Sequence, residues 1–68
     1  MRPEERLIIL QQLQEVNGKQ IANREETLEL SKQLSRDISD EKLKFEIQKL
    51  HLENVSLSNR DEELVKKL

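Results

Sequence analysis

At 68 residues, with no cysteine and one histidine, the chain has neither the length for two domains nor the ligands for a disulfide or thiolate-metal staple. Its 12 basic and 14 acidic side chains are interleaved and leave a formal net charge of -2. That balance excludes the basic patch of a nucleic-acid binder and the basic polar face of a membrane-surface helix. Leu, Glu, Lys, Arg and Ala supply 36 of the 68 residues, against one Gly, one Pro, one Phe and no Trp or Tyr. This is the composition of long helices and coiled coils, not of strands or of a core filled with aromatic rings.

Helix signals begin at the N-terminus. Pro3 suits a first helical position, where its missing N–H has no partner to lose, and Glu4 and Glu5 place negative charge at the positive end of the helix dipole. The longest apolar run, Leu7-Ile8-Ile9-Leu10, is too short for a transmembrane span or a signal-peptide core. Residues 3–34 read as a looser amphipathic helix. Ile9, Leu13, Val16, Leu30 and Leu34 share one heptad frame, with polar Gln20, Asn23 and Thr27 between them. Asn17-Gly18 is a turn dipeptide, but a single Gly costs a helix only about 1 kcal/mol relative to Ala.

Residues 35–42 are a frame slip or a break. Counting in sevens from Leu13 misses Ile47 by one residue, and the discrepancy falls in this Ser/Asp-rich stretch. Ser39 is the expected N-cap of a new helix, with Asp40 and Glu41 in its first turn. Beyond it the pattern is regular. Leu43, Leu50, Leu57 and Leu64 recur every seventh residue at the d positions, and Ile47, Asn54, Asp61 and Leu68 interleave at a. Lys66 and Lys67 place positive charge at the negative end of the dipole.

The string Leu50-His-Leu-Glu-Asn54-Val-Ser-Leu57 resembles the middle of a leucine zipper, and the resemblance covers residues 43–68. In basic-zipper transcription factors such a segment follows a basic DNA-reading helix. The resemblance implies a parallel dimer whose Asn54 meets its counterpart and fixes the register. Upstream of Leu43 there is no cluster of Arg and Lys, so no DNA-binding role is carried over. Asp61, at the next a position, would face a second carboxylate in a parallel dimer, unless Arg60 and water relieve it or an antiparallel partner supplies a cation.

A second apolar row lies outside the seam. Ile38, Phe45 and Leu52 fall at f positions and Val55 at b, and Leu7, Leu10, Ile21 and Leu28 continue an apolar row upstream. Such a row needs a cover, either a docking helix of another protein or further helices of the same assembly. His51 has no Cys or second His to share a metal, the Asn54-Val55-Ser56 sequon lies in the seam, and no carboxylate pair is enclosed as acid–base catalysis requires.

The expected architecture is therefore all-α. It is a single coiled-coil segment over 1–68, a long amphipathic helix forming a parallel two-stranded coiled coil. The alternative is a helical hairpin turning near 35–40 in an antiparallel bundle. The expected seam is Ile9, Leu13, Val16, Leu30, Leu34, Leu43, Ile47, Leu50, Asn54, Leu57, Asp61, Leu64 and Leu68, and the expected partner face is Ile38, Phe45, Leu52 and Val55. The expected function is non-enzymatic: homodimerisation and scaffolding or adaptor work, of the kind found in trafficking and cytoskeletal assemblies, within a larger intracellular and cytoplasmic protein. Its partners would be itself and another protein, without nucleic acid, membrane insertion or any cofactor. A regulatory zipper that pairs with another zipper protein without touching DNA is a further alternative.

Overall fold

The computed structural model describes residues 2–68 and contains two helices, with no strand among them. Helix α1 runs Pro3–Arg36 and helix α2 runs Glu41–Lys66. They lie side by side as a hairpin with extents of 53 × 15 × 11 Å. Both arrangements expected from the sequence are all-helical; within this one chain α1 and α2 are packed on each other.

Helix α1 starts as its sequence dictates. Arg2 is extended, at φ -75 and ψ 149, Pro3 occupies the first turn, and the Arg6 amide donates to the Arg2 carbonyl at 3.1 Å. No side chain caps this end, so Glu4 and Glu5 alone complement the dipole there. The helix passes through Asn17-Gly18 without interruption. A Cβ at Gly18 would meet nothing within 4 Å, so the glycine answers no packing need.

The turn at 37–40 is built from short polar side chains. The Asp37 amide donates to the Leu34 carbonyl at 3.1 Å and closes α1. The Asp37 carboxylate then accepts from the Ser39 amide at 3.2 Å and from the Ser39 hydroxyl at 2.7 Å, an Asx-type turn. The Asp40 amide returns to the Asp37 carbonyl at 3.3 Å. Asp40, not Ser39, is the N-cap of α2: its carboxylate accepts from the Leu43 amide at 3.1 Å. Ser39 is drawn back to Asp37 instead, which leaves the capping position to the next residue able to fill it. The four residues absorb the one-residue frame slip, because the two heptads no longer belong to one continuous helix.

The core is thin. Leu64 is fully buried, Val16 nearly so, and the third buried residue is polar, Asn23 at 5% exposure. Around them Ile9, Leu13, Gln20, Thr27, Leu30 and Leu34 of α1 are half-buried, as are Leu43, Ile47, Leu50, Asn54, Leu57 and Asp61 of α2. All sit at seam positions of their own helix, spaced alternately by three and four residues. The residues expected to line a dimer seam are buried or half-buried here within one chain, except Leu68, which lies beyond α2 and is exposed. Among the described residues, no helix is long and apolar enough to cross a membrane.

Candidate protein-association surface

Two antiparallel helices joined by a tight turn present two unlike flanks. With a and d in the seam, positions e and b of both helices fall on one side, and g and c on the other. The e/b flank carries a groove of about 620 Å³. Its floor is Thr27, Leu34, Ile47 and Asn54; its walls are Leu28, Ser31 and Gln48; its charged rim is Arg24 and Lys44, with His51 beside them. No carboxylate lines it. The opposite flank has a smaller depression of about 310 Å³ lined by Glu26, Glu46 and Glu53, with Lys49, Leu30 and Leu50.

The deepest polar contact lies at the groove's inner end. Asn23 Nδ2 donates to the Leu50 carbonyl at 2.9 Å across 27 residues of sequence. Asn23 was legible only as one polar residue among the α1 seam positions; its burial follows from sharing the d frame of Val16 and Leu30. Asn54, the amide expected to specify register, is half-buried on the groove floor. From Asn23 a ladder of hydroxyls climbs α1. Thr27 Oγ1 donates to the Asn23 carbonyl at 2.8 Å, and Ser31 Oγ to the Thr27 carbonyl at 2.7 Å. These bonds satisfy the hydroxyls within the helix, so the groove wall offers mainly carbon surface.

The expected partner face is open. Ile38 is 74% exposed and Phe45 68%, and Leu52 and Val55 are exposed too. Leu7, Leu10, Ile21, Leu28 and Val65 are exposed as well. By helical phase these residues belong to e, b and f positions. The hairpin therefore brings the e and b residues Leu7, Leu10, Ile21, Leu28, Val55 and Val65 onto the side of the groove, while Phe45 and Leu52, at f, face away from α1 on the back of α2.

Charge pairs are few and peripheral. Lys44 Nζ lies 3.4 Å from Glu41, and Arg60 lies 4.0 Å from Glu63, each one helical turn apart and exposed. Pairs of this kind contribute about 0–1 kcal/mol. Arg60 thus faces Glu63, and Asp61 stays half-buried in the seam near the open end. Among the described residues, no three His, Cys, Asp or Glu side chains come together in a geometry that could hold a metal ion.

Comparison of the chain with protein-family models, with curated proteins and with solved structures finds no match in any of the three.

Proposed function

We propose that the chain is a non-enzymatic protein-association module, a helical hairpin that offers its apolar e/b flank to other helices. It would serve as a scaffold or adaptor segment of a larger intracellular protein. The observation that carries this reading is the one-sided surface. A groove floored and walled largely by carbon runs along one flank, and exposed Leu10, Ile21, Val55 and Val65 extend it. Large contiguous apolar surface on a water-soluble chain marks an interaction site. The hairpin's own interior supports the same view, because one fully buried leucine is too small a core for a chain of this size to be stable alone.

Sedimentation equilibrium over a wide concentration range at neutral pH tests the reading. An assembly that weakens when Leu28 and Leu10 are replaced by Glu supports it. A stable, strictly monomeric chain that binds no added helix contradicts it.

A second reading is a parallel two-stranded zipper in which α2 pairs with a second α2. It is favoured by the unbroken run of leucine at the d positions of residues 43–68. In that arrangement the seam residues of α2 would be covered by another chain instead of by α1. The distance between α1 and α2 within one chain then separates the two readings.

A further inference from the structure

We infer that the occupant of the e/b flank is a second copy of this hairpin, laid antiparallel on the first to complete a four-helix bundle; this rests on the association reading above. Three observations lead there.

The first is area. The hairpin exposes 5642 Å². A compact folded chain of its 8.1 kDa would expose about 4,500 Å². The excess of roughly 1,100 Å² exceeds the ~800 Å² per partner that a standard stable interface removes.

The second is the length of the apolar surface. It runs from Ile38 at the turn to Leu7 and Val65 at the open end, the whole 53 Å of the molecule. A single short helix would cover only the groove. Another hairpin covers all of it, and helices of bundles pack at the 8–10 Å spacing that side chains of this size allow.

The third is charge, which decides the orientation. The e/b flank carries Arg24, Lys44, Glu41 and Glu62. Two hairpins laid parallel would keep every residue level with its own copy, setting Lys44 beside Lys44 and Glu62 beside Glu62. Laid antiparallel, the turn end of one meets the open end of the other. Lys44 then comes to the level of Glu62 on the partner copy, and Ile38 to that of Leu7. Each exposed apolar end is covered by the other. Lys44 and Glu62 then approach, while Arg24, midway along the flank, stays level with its own copy in either orientation.

The absence of cysteine from the chain makes the test direct. Two single variants, Leu7→Cys and Ile38→Cys, are mixed in a glutathione redox buffer, and the disulfide-linked species are counted. Sedimentation equilibrium of the native chain gives the mass. The distance between spin labels at Lys19 and Ser58, in a chain diluted with unlabelled protein, reports whether the hairpin is intact.

The expected result is a mass twice that of the chain, a mixed 7-to-38 disulfide at least tenfold more abundant than either symmetric one, and a short 19-to-58 distance. Leu28→Glu with Leu10→Glu is expected to weaken the dimer about a hundredfold or more, since each leucine loses its burial. A dimer with a short distance but dominated by symmetric disulfides overturns the orientation. A monomer with a short distance overturns the second copy as occupant while leaving the flank open to a different helix. A dimer with a long distance overturns the association reading as well, in favour of the extended zipper.

Discussion

The two flanks of the hairpin share the same helices, the same seam and the same number of turns, yet their chemistry differs. On the g side, Glu26, Glu46 and Glu53 stand around a small depression with Lys49. Solvated carboxylates there keep the surface wet and would repel a second copy of the same face. On the e side, Arg24, Ser31, Lys44 and His51 alternate with leucine, isoleucine and threonine over a groove twice as large. The contrast shows how a coiled-coil heptad encodes more than its seam. Positions a and d bring α1 and α2 together, and the unequal treatment of e and g determines which side of the pair remains available.

Substitutions can break this contrast or sharpen it. The largest effect is expected at the seam common to both flanks. Leu64 is fully buried, and Leu64→Ala is expected to cost about 2–5 kcal/mol, enough to unfold so small a hairpin. Thermal melts at fixed protein concentration would read this as lost helicity; an unchanged melt would mean that Leu64 is not a core residue. Next comes the apolar flank. Leu28→Glu with Leu10→Glu should leave helicity by circular dichroism nearly unchanged at high concentration. It should weaken assembly by about 3 kcal/mol or more, seen as a shift of the sedimentation profile towards monomer.

Smaller effects belong to the turn and the acidic flank. Asp40→Ala removes the only side-chain cap of α2 and is expected to destabilise by about 1 kcal/mol. Ser39→Ala, at the position that lost the capping role, should cost less; the reverse ranking in urea titrations would contradict the Asp40 cap. Glu46→Gln with Glu53→Gln on the g side should move stability by at most about 0.5 kcal/mol and leave the mass unaltered. If these changes weakened assembly as much as the leucine pair does, the flanks would not differ in function.

The all-helical character was legible in the sequence because it rests on local periodicity. Ile9, Leu13, Val16, Leu30, Leu34 and the four leucines at 43, 50, 57 and 64 are the residues that lose exposure in the hairpin, within one chain. The slip between Leu13 and Ile47 was legible too, but its meaning was not. A one-residue offset in a continuous helix and a turn give the same count, and only the bonds from Asp37 to Ser39 and from Asp40 to Leu43 distinguish them. The same ambiguity hid which amide is buried. Asn54 has the zipper position, but the hairpin sets Asn23 against Leu50, a contact that depends on where the chain reverses. It also hid the unity of the apolar surface. Read along a straight helix, Leu7 and Leu28 lie far from Val55 and Val65; the reversal at 37–40 puts these e and b positions on one flank.

The account depends above all on the seam closing within a single chain. Spin labels at Lys19 and Ser58, on a doubly labelled chain in excess unlabelled protein, measure that directly by pulsed dipolar spectroscopy. Side-by-side helices predict a separation of about 10–20 Å, set by the interaxial spacing and the label arms. A continuous helix through residues 35–42 would hold the two sites about 60 Å apart at 1.5 Å per residue, and that result would contradict the hairpin.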